Sequence, residues 1–249
     1  MSAAENIWKS FESFFQLQGV FRSGFTRTGV YGFYVDPNDP KDNPEILRNL
    51  ERYNVSTTGC HCGRTANLLY DIMRWYPMYF RNEDISLAIK VALCHDIGES
   101  IVGDIAADGS AEHETKQAAE GAAVQEFYSY QPKGDRSAII ELHRQFDEDT
   151  TFLGQAIRVA DKLDALGELI ILEGCGFKGD VLKKRIPSEQ DMKYAEKIGS
   201  SNCTDEWAYC FYQMMEQQDY DKRLKTIAAE FLTAGLKSIG RPLYEWWLV

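Results

Sequence analysis

The residues DISLAIKVALCHD, 84–96, narrow most sharply what this chain can fold into. Ile85, Ala88, Ile89, Ala92 and Leu93 recur at helical spacing, so the run reads as a helix with one apolar face. It delivers an adjacent imidazole and carboxylate, His95 and Asp96, to its own end. Gly98 then marks a break, and two further carboxylates follow, Glu99 and Asp104. Burying an aspartate costs on the order of several kcal/mol unless it is paired or bound to a cation. Two readings are open. One is an ion-paired helix end at the surface. The other is a divalent metal that pairs with both groups at once.

A second stretch bears on the choice. Thr65, Leu68, Leu69, Ile72, Met73 and Tyr76 follow His61 on one helical face, so His61 opens an apolar stripe and points toward the core. A hydrogen-bonded core histidine and a metal ligand both fit that position. Pro77 and RNED then connect this helix to the one ending at His95. Helices joined by a short loop are usually antiparallel neighbours. That arrangement brings the start of the first and the end of the second to one end of the pair, where His61, His95 and Asp96 can meet.

The third stretch is TTFLGQAIRVADKLDALGELIILEG, beginning at Thr150. Leu153, Ile157, Ala160, Asp161 and Asp164 share one side of a helix, so Asp161 stands where the period asks for an apolar residue. Arg158 or Lys162 could compensate its charge in a structural role. In the other reading Asp161 is a fourth metal ligand. The set His61, His95, Asp96 and Asp161 would leave coordination positions open for water and a phosphate oxygen.

The rest of the chain reads mostly as further helix. Residues 5–20 carry Ile7, Phe11, Phe14, Phe15 and Leu17 on an apolar side. GVYGFYV, within 21–35, reads as a short strand or hairpin arm, DPNDPKDNP as an exposed turn and QPKGD as another turn. RSAIIELHRQFDEDT and three segments between Pro187 and Gly240 have helical periodicity. His113 and His143 lack a partner at ligand spacing, so they are read as surface residues or supports of the site rather than ligands. The paired Trp246 and Trp247 would cover the core or form a homodimer contact, and packing is the better reading because exposed paired tryptophans make a sticky patch.

Charge and cysteine content exclude some functions. The net charge of −11 argues against a nucleic-acid polymer as partner, since backbone binding needs many Lys and Arg contacts. It leaves room for a small phosphorylated ligand. No apolar run approaches the roughly 20 residues of a membrane span, and the amino terminus lacks the pattern of a secretory signal. The six cysteines form no CxxC pair, and they read as reduced thiols of a cytoplasmic protein. A Cys60-His61-Cys62 zinc clip is conceivable, although structural zinc usually draws two separated ligand pairs.

The ordered pattern His61, His95-Asp96 and Asp161, all on helices, resembles the HD-domain metal-dependent phosphohydrolases. The closer resemblance is to their 5'-deoxynucleotidase-like branch. HDIGESIVGD is similar to that branch's segment, RSGFTRTG to its Arg-x-Gly-Trp-x-x-Arg loop, and KQAAEGAA and VADKLDAL to two of its helices. The resemblance spans roughly residues 14–172. The chain departs from the branch in having Phe25 in place of its Trp, no Glu shortly before His61, an insertion around DPNDPKDNP and a longer tail.

The resemblance implies an all-α fold, an HD-domain helical bundle with a helical C-terminal extension. It would comprise a phosphohydrolase core over 1–172 and an extension packed on it over 173–249. The activity implied is hydrolysis of phosphate from small (deoxy)nucleoside 5'-monophosphates. The cofactor is a divalent ion (Mn, Co, Mg, Fe, Ni or Zn) on His61, His95, Asp96 and Asp161. Glu99, one turn from His95, would transfer a proton or steer water, and Asp104 would help hold the water or the leaving oxygen. Arg22 would hold the phosphate, with Arg27 as second choice, and Phe25 would face the sugar. A nucleoside triphosphate hydrolase, a cyclic-nucleotide phosphodiesterase and a non-catalytic nucleotide-sensing module are the alternatives.

Overall fold

The structure is a computed structural model, and it describes residues 2–5, 7–8, 58–97, 119, 121–122, 124–125, 127–128, 133–175 and 189–247. The fold is all-α, with no strand among the described residues. Seven longer helices are described: α1 Thr58–Trp75, α2 Ile85–Cys94, α3 Lys133–Asp147, α4 Phe152–Gly174, α5 Glu189–Ile198, α6 Cys203–Gln217 and α7 Lys222–Ser238. A 3-10 turn, Glu245–Trp247, follows them. The expected strand or hairpin arm lies outside the described residues.

The chain divides into two compact units. The first is Ser56–Asp161. Here α1 packs on α2, and α2 packs on α3. The stripe that His61 opens is the buried face of α1, with Thr65, Leu68, Leu69, Ile72 and Met73 all in the core. The tight turn after Trp75 contains Pro77, which cannot continue a helix. The Asp84 side chain then caps α2 by accepting from the Leu87 amide at 2.9 Å, satisfying one of the amides a helix start leaves without a backbone partner.

The buried arc of α2 differs from the one expected. Ala88, Val91 and Ala92 are buried, whereas Leu93 is half exposed. Because α2 packs against both α1 and α3, its interior arc runs through 88, 91–92 and 95, which carries the His95 ring inward. Asp96, one residue on, stays at the rim. QPKGD is also corrected in part: Lys133, Gly134 and Asp135 are the opening residues of α3 rather than a turn. The helix start tolerates Gly134, because first-turn amides have no intrahelical partner in any case.

Gly154 fixes the spacing of α3 and α4. A Cβ built on it would lie 2.4 Å from the Gln145 carbonyl oxygen. The two helices can approach this closely only because residue 154 has no side chain.

The second unit joins the N-terminal residues to Lys162–Val249. Trp8 packs edge-on against Phe231 of α7, with ring centroids 5.4 Å apart. Asn202 caps α6 and Asp221 caps α7, each accepting from an amide two residues on. Arg241 forks onto both Glu173 oxygens at 2.8 Å and also reaches Asp205. Near the carboxy terminus Trp247 is buried, and Trp246 stacks on Tyr244 at 4.6 Å. Among the described residues, no helix is long and apolar enough to cross a membrane.

Candidate metal centre

The first unit brings His61, His95, Asp96 and Asp161 together. His61 Nε2 lies 2.9 Å from Asp161 Oδ1 and 3.3 Å from His95 Nε2. His95 Nε2 is 3.2 Å from Asp96 Oδ2 and 3.6 Å from Asp161 Oδ1. Asp96 Oδ2 is also 3.6 Å from His61 Nε2. One donor atom each from His61, His95 and Asp96 falls within a 4.8 Å group, and neither Cys60 nor Cys62 belongs to it. The His95 and Asp161 side chains keep 0% and 8% of their exposure, and those of His61 and Asp96 keep 19% and 25%. The centre is therefore closed on the His95 side and partly exposed beside His61 and Asp96.

The local sequence explains each placement. His61 opens the buried stripe of α1, and His95 continues that of α2 past its end. Asp161 sits in α4 among the fully buried Ile157, Ala160 and Leu163. Its two oxygens are divided between tasks. Oδ1 faces the histidines, while Oδ2 is 3.5 Å from Arg158 Nη1. The Arg158 contact is the structural compensation that the sequence offered for Asp161.

His95 Nδ1 donates to the Ala92 carbonyl at 2.8 Å. This bond sets the ring's orientation and leaves Nε2 facing His61, Asp96 and Asp161. Burial pushes the His95 pKa down, but hydrogen bonds to Asp161, Asp96 and Cys62 outweigh it and hold the pKa well above the ordinary value. Burial pushes Asp96 up, and the His95 hydrogen bond and charge hold it below the ordinary value. Without a metal, then, the cluster favours a proton on His95. A cation placed among the same atoms takes over that balancing charge. Two imidazole nitrogens and a carboxylate oxygen, from His61, His95 and Asp96, are a hard-to-borderline donor set that could hold a divalent metal ion.

The site also holds His143, which the sequence reads as a surface residue or a support and which the structure buries. His143 Nε2 donates to the His95 carbonyl at 3.2 Å, and its Nδ1 is 3.2 Å from Asp147 Oδ2. The Phe146 ring stands edge-on to both His95 and His143 and carries the Arg158 guanidinium 3.7 Å above its centroid. A helical-face reading of α3 shows His143, Phe146 and Asp147 together but cannot say what they meet. Arg22, Phe25, Arg27, Glu99, Asp104 and His113 lie outside the described residues.

Residues 72–177 match the family model described as HD domain. That span is similar to an HD domain. It contains His95, Asp96 and Asp161, and His61 lies ahead of it, joined to the site by its contact with Asp161. No curated protein and no solved structure matches the chain significantly. HD domains are in general metal-dependent phosphohydrolases, and the donor cluster of this chain agrees with that chemistry.

Proposed function

We propose that this protein hydrolyses phosphate esters of small nucleotides, releasing orthophosphate from (deoxy)nucleoside 5'-monophosphates, as a member of the 5'-deoxynucleotidase-like branch. The observation that carries the reading is the grouping of His61 Nε2, His95 Nε2 and Asp96 Oδ2 at 3.2–3.6 Å, with Asp161 Oδ1 at 2.9 and 3.6 Å from the two histidines. A divalent ion bound there supplies Lewis-acid polarisation of a phosphoryl oxygen and lowers the pKa of water.

The chain's own residues do the rest. His95, locked by its bond to Ala92, and Asp161, steadied by Arg158, keep the ligand frame rigid, so little reorganisation accompanies the reaction. The partly exposed side beside His61 and Asp96 admits the substrate. Glu99 takes the proton of the attacking water, and Asp104 holds that water or the leaving oxygen. Arg22 forks onto the phosphate, Arg27 assists, and Phe25 borders the sugar.

The substrate class follows from charge. A monophosphate carries its whole charge on the group under attack, so one cation and one arginine suffice. A triphosphate would bring more negative charge to a protein already at −11 and would want a Lys and Arg cluster, which the motif-bearing segments lack. The test is a panel of mono-, di-, tri- and cyclic nucleotides assayed with several divalent ions. Orthophosphate from 5'-monophosphates is expected. Triphosphate or pyrophosphate as main product would refute the reading.

A further inference from the structure

We infer that His143 is a positioning residue of the metal centre, acting through the backbone of the His95-Asp96 pair and oriented by Asp147. The inference deepens the proposed function and rests on its metal site.

The argument begins with the weak point of the centre. His95 and Asp96 follow the last residue of α2, Cys94. Carbonyls at a helix end have no intrahelical partner. A ligand pair placed just beyond a helix end is therefore held less firmly than one inside a helix, as Asp161 is. The His95 carbonyl is satisfied from elsewhere: His143 Nε2, from α3, donates to it at 3.2 Å. His143 is itself 3% exposed, so water does not compete for this bond.

The ring cannot easily turn away. Its Nδ1 is 3.2 Å from Asp147 Oδ2, one helical turn further along α3. Tyr128 and Phe146 meet the ring edge-on at 6.0 and 5.8 Å. Phe146 continues the support, because it also stands edge-on to the His95 ring at 5.5 Å. Two contacts thus run from α3 to one metal ligand, one to its backbone and one to its ring. A histidine placed only for packing needs neither polar contact. Here both nitrogens are engaged, and one of them engages the ligand itself.

The test uses Co²⁺ as probe, since its visible absorption reports ligand geometry as well as occupancy. His143→Phe keeps an aromatic ring and removes both polar contacts. His143→Gln keeps an N–H donor at about the reach of Nε2. Removing a group that orients a metal ligand typically weakens metal binding about 10–100-fold. We expect His143→Phe to weaken Co²⁺ binding at least tenfold and to alter the absorption spectrum, and His143→Gln to restore both largely. Asp147→Ala, at a half-exposed position that tolerates truncation, should weaken binding a few-fold even if His143→Phe fails to fold. Wild-type Co²⁺ affinity and spectrum in folded His143→Phe or in Asp147→Ala would overturn the inference. So would a His143→Gln protein as impaired as His143→Phe, because shape rather than the hydrogen bond would then matter. A wild-type protein that binds no Co²⁺ would remove the proposed function and this inference together, whereas binding indifferent to these variants removes the inference alone.

Discussion

His61 and Asp161 are one hundred residues apart in the chain and 2.9 Å apart in space, Nε2 to Oδ1. The contact joins the first turn of α1 to the middle of α4, and His95 and Asp96 close the group from the end of α2. A buried carboxylate oxygen facing two imidazole nitrogens is the arrangement on which the metal reading depends.

Asp161→Ala should therefore abolish stable binding of the divalent ion, and activity with it, while the protein stays folded. Metal content by elemental analysis, alongside circular dichroism, checks this. A variant with full metal content would remove Asp161 from the ligand set.

Glu99→Ala should separate binding from turnover. The proposed role is proton transfer, so the ion should stay bound while turnover falls by roughly a hundredfold or more. Unchanged turnover would leave Glu99 as a charge following the His-Asp pair and nothing more.

Arg22→Ala should raise KM for a 5'-monophosphate and lower kcat/KM by an amount equivalent to about 2 kcal/mol, the scale of a lost charged hydrogen bond. Steady-state kinetics measure it directly. Wild-type kinetics in the variant would assign the phosphate to another cation.

The pH dependence of stability should differ between metal-free and metal-loaded protein. In the metal-free protein His95 is held well above its usual 6.5. Its contribution to stability is complete below about 6.5 and is lost as pH rises through the folded value. Asp96 is held below its usual 3.8, so its contribution is present above about 3.8 and is lost as pH falls through the lower folded value. Metal-free protein should thus be most stable in the mildly acidic range and weaken toward alkaline pH. Bound metal should remove the alkaline loss, and metal affinity should rise with pH as His95 gives up its proton. Melting temperature against pH, in chelator and in excess metal, would show two coincident curves if the cluster binds nothing.

Gly154→Ala should destabilise the protein by about 1–3 kcal/mol, the usual cost of overpacking. The added Cβ would meet the Gln145 carbonyl at 2.4 Å, and backbone cannot swing aside as a side chain can. Urea denaturation measures the change. A neutral result would mean that α3 and α4 separate without cost.

The sequence made the helices legible because their apolar period is strong. The α1 stripe from His61 and the α4 stripe around Asp161 both face inward as the period requires. The meeting of His61 with His95 was legible too, because a short connection between helices makes them antiparallel neighbours. Leu93 shows where such reasoning stops. Its spacing fits the apolar face, yet it is half exposed, because the buried arc of α2 depends on where α1 and α3 lie. The sequence could not choose between surface and support for His143, because its partner is a backbone carbonyl, which every residue offers. Whether Arg158 reaches Asp161 could be settled only by rotamer and reach, and it does so at 3.5 Å.

The hundred-residue span between His61 and Asp161 also times the birth of the centre. Closing a flexible loop of that length costs on the order of 4 kcal/mol in chain entropy. No local segment emerging from the ribosome can assemble these atoms early. The proposed four-residue set is complete only once α4 has been synthesised and Asp161 has reached His61, so full-strength metal binding by that set would report completion of the Ser56–Asp161 unit. A nascent chain arrested ahead of Asp161 should bind the ion more weakly than the complete unit, because it offers His61, His95 and Asp96 alone.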